Sequence, residues 1–178
     1  MRWLVLLVAL MAGRGFAGPD ACATLAQDEA VQLLGGAPLG EVFKRETPMN
    51  EAPYGKYVAT QCGYYPKGFA QASGGNPPRG ILITINSLES KEAAQRLYKD
   101  VFELMEDDAK DSGSPPVEKV AGAGEAAFLR LPPPTAVGNS ELVELVKGSL
   151  TVAIQVWSAK PGSGVGVAAA KKIAARLP

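Results

Sequence analysis

The chain is 178 residues long, with 18 basic and 18 acidic side chains, two cysteines and no histidine. That length suits one domain able to bury a core. The absence of histidine excludes Ser-His-Asp and Cys-His nucleophile systems, HExxH zinc sites and imidazole acid–base chemistry.

The first stretch, "MRWLVLLVALMAGRGFAGPDAC", reads as a secretory signal. Arg2 supplies the positive region, Trp3 to Ala12 form a short apolar segment, and "GFA" at 15–17 is a small-x-small cleavage site. The segment is shorter than the roughly 20 apolar residues that span a bilayer. Domain reasoning therefore assigns 1–17 to a signal peptide and 18–178 to a single domain in the periplasm or outside the cell. Cleavage after Ala17 leaves 16 basic against 18 acidic residues, a net charge of −2. Such a chain has no long-range attraction to nucleic acid or an anionic membrane. Pro19-Asp20-Ala21 before Cys22 fit poorly with a lipid-attachment signal.

"ATLAQDEAVQLLGG" (23–36) has a helical apolar face, with Thr24 and Gln27 at capping-box spacing and Gly35-Gly36 as the stop. "EVFKRE" (41–46) suits a short strand, and "KYVATQCGYY" (56–65) is an alternating strand that carries Cys62. Two cysteines in an exported chain favour one bridge, Cys22–Cys62, although two buried thiols remain an alternative. Closing that 40-residue separation is worth about 3–4 kcal/mol in the chain-entropy account.

"PKGFAQASGGNPPRG" (66–80) is turn-rich, and "ILITINS" (81–87) suits the middle of a sheet. Ser90 caps "KEAAQRLYKDVFELMED" (91–107), whose inner stripe is Ala94, Leu97, Tyr98, Val101 and Met105. "DAKDSGSPP" (108–116) reads as a polar loop, and "VEKVAGAGEAAFLRL" (117–131) as strand, glycine turn and strand. "PPPTAVGNS" (132–140) is a connecting loop. "ELVELVKGSLTVAIQVWS" (141–158) carries a hairpin signal at Lys147-Gly148, and "GVGVAAAKKIAARL" (164–177) a last helix. The order α-β-β-β-α-β-β-β-β-α predicts an α+β fold with a mainly antiparallel sheet and helices packed on it.

Several features form a pattern: Cys22 before Thr24 to Gly36, Cys62 with Tyr64 two positions on, and Val120 to Phe128 as V-x-G-x-G-[DE]-x-A-[FY]. The layout resembles small secreted bacterial proteins of unknown function, many of them actinobacterial lipoproteins. It also shows some kinship to the extrinsic photosystem II protein of the PsbP type. The resemblance covers most of the chain after the leader and implies a disulfide and an α/β sandwich, with no catalytic residue to transfer. The chain departs from the lipoprotein members in having no credible lipid-attachment motif.

With both cysteines paired no thiolate nucleophile remains, and their spacing is not that of a CxxC redox pair. Cys62 is then a staple. A calcium loop starting at Asp108 places Gly113 correctly but puts Lys110 and Lys119 where carboxylates are required. No cofactor or metal is expected. Soft copper ligation fails as well, since only Met49 and Met105 survive leader removal. "GAGEAA" (122–127) precedes a strand rather than a helix, so its glycines serve a turn. "GSGVGV" (162–167) precedes a helix and can offer amides to an anion, but lacks the P-loop Lys-Ser/Thr.

The tyrosines are clustered: Tyr54, Tyr57, Tyr64 and Tyr65, with Phe69 just beyond. Period two puts Tyr64 with Cys62 and places Tyr57 and Tyr65 on the opposite face. Those two either cover core beneath a second helix or, with Phe69 and Trp157, form a recognition patch. The functional expectation is an exported, non-enzymatic envelope module that binds a partner protein or an apolar ligand. The alternatives are a carboxylate-dependent hydrolase and a secreted inhibitor or immunity-type protein.

Overall fold

The computed structural model describes residues 18–36, 38–67, 79–133, 140–157 and 162–178. The expected leader at 1–17, Phe69 and most of the 66–80 loop lie outside the described residues. A 3₁₀ turn (Ala21–Ala23) and α1 (Gln27–Leu33) precede β1 (Phe43–Glu51), β2 (Gly55–Tyr64) and β3 (Gly80–Leu88). Then come α2 (Lys91–Ser112), β4 (Glu118–Lys119), β5 (Ala126–Arg130), β6 (Ser140–Lys147), β7 (Leu150–Trp157) and α3 (Val165–Arg176). The strands form one sheet in the order β1-β2-β3-β7-β6-β5-β4, antiparallel at every junction. This is the α+β class that the run-wise grouping of strands predicts.

Strand periodicity divides the sheet into two apolar faces. Register aligns Cys62, Ile83, Ile154, Val143 and Leu129 across five strands. This row joins Ile81, Ile85, Val152 and Leu145 in the main core, against Leu25, Ala30, Ala169, Ala170 and Ile173. Each fully buried Leu, Ile or Val contributes about 1.5–3 kcal/mol. α3 fits closely because its inner stripe is glycine and alanine, with Ile173 the one large member. On the other face α2 covers a smaller cluster of Leu88, Ala94, Val146 and Tyr57, and its Tyr98 and Phe102 rings pack on Phe128.

Cys22 and Cys62 are bonded, with Cα atoms 5.1 Å apart. The bridge holds the 3₁₀ turn on the main-core side of β2, where the Tyr64 hydroxyl also donates to the Leu25 carbonyl. Just ahead of it, Thr60 donates to the Pro19 carbonyl at 2.9 Å. A Cβ at Gly18 would meet the Ser87 hydroxyl at 2.6 Å, so a larger residue there would have to displace that side chain.

Three local expectations are corrected. The first α-helix starts at Gln27, and Thr24 does not cap it, because its hydroxyl donates back to Ala21 within the 3₁₀ turn. The reciprocal cap comes instead from Glu29, which accepts from the Ala26 amide at 3.1 Å. The polar stretch 108–112, read as loop, is the last turn of α2: Ala109 is buried, Asp108 pairs with Arg130, and Gly113 ends the helix at φ 68°. The first strand runs on to Glu51 because the β1–β2 ladder continues to Glu51↔Gly55.

Replacing both cysteines by alanine is expected to lower stability by about 2–5 kcal/mol, the range for a native bridge in a small secreted domain. Denaturant midpoints of the two forms measure it; equal midpoints would mean that packing alone holds the 3₁₀ turn.

Candidate functional site

The α2-facing side of the sheet carries the expected aromatic residues, in two separate places. Tyr57 and Tyr65 do share one face of the chain through β2. They sit at its opposite ends, eight positions or about 26 Å of extended chain apart. Tyr57 is buried against Leu88, Ala94 and Val146, and its hydroxyl donates to Glu51 at 2.8 Å. It therefore covers core beneath α2. Burial and the neighbouring carboxylate push its pKa up to about 12.

Tyr65 instead meets Trp157, with ring centroids 6.2 Å apart. β7 is two strands from β2, so the contact needs a bridge across β3. Glycine provides it: a Cβ at Gly63 would lie 2.4 Å from the Tyr65 ring, and one at Gly80 2.8 Å. The ring lies flat on this glycine bed beside Trp157, the cross-strand partner of Gly80. Both aromatics are almost wholly buried, at 4% and 7% exposure, so they do not form the exposed patch that clustering suggested. The two glycines are the signal that sequence reading missed.

Between these aromatic ends the same face is largely half-buried and carries uncharged polar side chains on β2, β3 and β7, with Arg45 exposed opposite Gln61 at the β1 edge. Gln61 donates to Thr84 at 3.2 Å, Asn86 to Thr151 at 3.1 Å and Gln155 to Ser140 at 3.1 Å. Each pair is a cross-strand hydrogen bond between side chains directly opposite in register or one pleat removed. Beside this strip α2 packs on the sheet through Ala94, Leu97, Tyr98 and Ala109, while its Leu104 is exposed. Leu97 packs beside Tyr57, and Asp108 near the other end of the helix reaches Arg130.

The glycine-rich turn before α3 does bind an anion, and the anion belongs to the chain itself. Glu141, at 1% exposure, accepts from the amides of Gly162 at 2.9 Å and Gly166 at 2.5 Å. At the other end of α3 Lys147 donates to the carbonyls of Ala174 at 3.1 Å and Leu177 at 2.6 Å. Negative charge at the N-terminus and positive charge at the C-terminus both match the helix dipole.

The second buried carboxyl on β6 is Glu144, 4% exposed and without a hydrogen-bond partner among the described residues. Burial pushes its pKa up to about 7. Glu141 and Glu144 are three positions apart and so point to opposite faces of the sheet. They cannot flank one scissile bond, as paired-carboxylate hydrolysis requires. Among the described residues no cluster of acidic, histidine or cysteine side chains could hold a metal ion. Nor is any described helix long and apolar enough to cross a membrane.

Two open concavities stand out besides the strip. One, about 530 Å³, lies at the β1–β2 hairpin between Pro48, Met49 and Val58, with Glu46, Lys56 and Glu89 at its rim. The other, about 450 Å³, lies between α2 and the β4–β5 edge.

No protein-family model and no curated protein matches the chain. Among solved structures it is similar to the extracellular domain of PknH from Mycobacterium tuberculosis, with a TM-score of 0.59 and 11% identity. The match covers 91% of this chain and 98% of that one. At that identity the likeness is one of fold.

Glu141→Ala is expected to cost about 1–3 kcal/mol, chiefly by orphaning the buried Gly166 amide, while Glu141→Gln, which keeps an acceptor, costs less; thermal and denaturant unfolding compare them.

Glu144 gives a distinct pH signature. The unfolded chain ionises it near the ordinary 4.5, while the folded protein holds the proton to about 7, so stability falls as pH rises through that window. Glu29 acts oppositely. Hydrogen bonds from Arg176 and Lys172 hold it down to about 2, so its contribution is lost as pH falls below 4.5. Glu144→Gln should remove a loss of about 2–3 kcal/mol between pH 5 and 8 while leaving the acid limb intact. Denaturant titrations across pH test this, and an unchanged slope would refute it.

Proposed function

We propose that the protein is an exported, non-enzymatic module that binds an envelope partner or an apolar ligand on the α2-facing side of its sheet. The observation that carries this reading is the division of labour on that face. α2 closes one part, the Tyr65–Trp157 pair closes the far end, and between them runs the half-buried neutral strip of Gln61, Thr84 and Gln155. A half-buried polar surface on a paired sheet beside a packed helix is pre-formed, as binding surfaces usually are.

Export is supported by the Cys22–Cys62 bridge, a bond that persists in oxidising compartments. The fold shared with the extracellular part of a mycobacterial kinase agrees with it. In this reading a leader ending at Ala17 is removed, and the kinship to small secreted bacterial proteins belongs to the same proposal. The separation of Glu141 from Glu144 favours binding over hydrolysis.

Expressed with a C-terminal tag in a bacterial host, the protein should appear outside the cytoplasm with an intact mass that starts at Gly18 and a closed bridge. Cytoplasmic retention, alkylatable thiols without reduction, or an added diacylglycerol mass would overturn the assignment. A photo-crosslinking side chain at Thr84 should capture a partner that one at Lys172, on the far side, does not. Turnover of an ester or glycoside abolished by Glu144→Gln would overturn the non-enzymatic reading.

A further inference from the structure

The concavity at the β4–β5 edge has a composition of its own. β4 is only two residues long, so the sheet stops short beneath α2 and leaves a gap of about 450 Å³. This lies within the range of small-molecule sites. Tyr98 and Phe102 of α2 wall it on one side, and Val120, Ala121 and Ala126 on the other. Both aromatic rings are fixed from behind by the fully buried Phe128, at centroid distances of 5.6 and 5.3 Å. The apolar wall is thus rigid before any ligand arrives.

Two charged side chains reach this gap, Lys119 and Glu125. Glu125 is already neutralised: Lys91 lies 2.8 Å from one carboxylate oxygen, and the Gly148 amide donates to the other at 3.0 Å. Lys119 has no acidic partner among the described residues. Its strand neighbour Glu118 points to the opposite side by the alternation of a β-strand. The pocket is therefore aromatic and aliphatic inside, with one uncompensated positive charge at its mouth.

We propose that this pocket takes a small amphipathic anion, its apolar body against Tyr98 and Phe102 and its carboxylate at Lys119. The proposal rests on the binding reading above but concerns a different part of the molecule, the far side of α2 from the neutral strip. It names a ligand class that needs an aromatic wall and a cation together, which the strip of uncharged amides and hydroxyls does not offer.

The probe is 2-naphthoate, with 2-naphthylmethylammonium as a control of the same ring and opposite charge. Both are titrated into the disulfide-bonded protein by calorimetry and by amide chemical-shift mapping. Naphthoate should bind and shift amides of 98–102, 119–121 and 126–127, and the ammonium should bind more weakly. Lys119→Gln, at an exposed position, should weaken naphthoate about threefold to fivefold, as expected for losing one exposed ion pair. Lys119→Glu should reverse the preference between the probes. Ala126→Phe, which fills the gap from an exposed strand position, should abolish both. Equal naphthoate affinity in Lys119→Gln, shifts mapping elsewhere, or no binding of naphthoate would each overturn the proposal. None of these outcomes would alter the mass, export or crosslinking results on which the broader reading depends.

Discussion

A single strand holds α3 by both ends. Glu141 and Lys147 are six residues apart on β6, a span of about 20 Å, and the twelve residues of α3 are about 18 Å long. The strand thus carries one charge to each terminus of the helix. The carboxylate occupies the amides that no intrahelical carbonyl can reach, and the ammonium occupies the carbonyls left over at the other end. Burying a lone glutamate in an apolar core would be costly, and here the helix start supplies the compensating hydrogen bonds. With α3 fixed along β6, its alanine stripe seals Val143, Leu145, Val152 and Ile154 from water. The constraint reaches back into the sequence: a Cβ at Gly166 would lie 2.8 Å from Glu141, so residue 166 has no side chain.

From that anchor the rest of the main core follows. α3 in turn receives α1, because Arg176 forms two bonds to Glu29 at 2.5 and 2.9 Å and one to the Thr24 carbonyl at 3.1 Å. The N-terminal segment is therefore held by charge at its α1 end and by sulfur at Cys22. These bonds join residues about 150 positions apart, so α1 and α3 close the same layer.

Much of this was readable in the amino-acid order. Alternation in 56–65 and 141–158 and the nearly continuous apolar run at 81–87 mark the strands. Ser90 and the 94/97/98/101/105 stripe marked α2. Errors fell where tertiary partners override local chemistry. Asp108 to Ser112 look like loop until Arg130 is placed beside Asp108, and Thr24 looks like a cap until the 3₁₀ turn offers it the Ala21 carbonyl. The aromatic cluster was legible as a shared strand face and not as a site. Whether Tyr57 is covered depends on where α2 crosses, and whether Tyr65 meets Trp157 depends on Gly63 in its own strand and Gly80 in the next. The gap beside β4 could not be read at all, since it arises from a strand that stops after two residues.

The bridge also sets how the molecule carries mechanical load. A pull applied at Gly18 travels only as far as Cys22 before it passes through sulfur into Cys62, the inner part of β2. The whole of 23–61, with α1 and the edge strand β1, lies within the closed loop and bears none of that tension. β1 has a partner on one side only, and an outer strand of this kind would otherwise be the first element to peel away under tension. Here force enters the sheet beside β3, where β2 is paired on both sides and the strands must shear together to yield. A domain tethered by its N-terminal segment is thereby spared unravelling from its weakest edge.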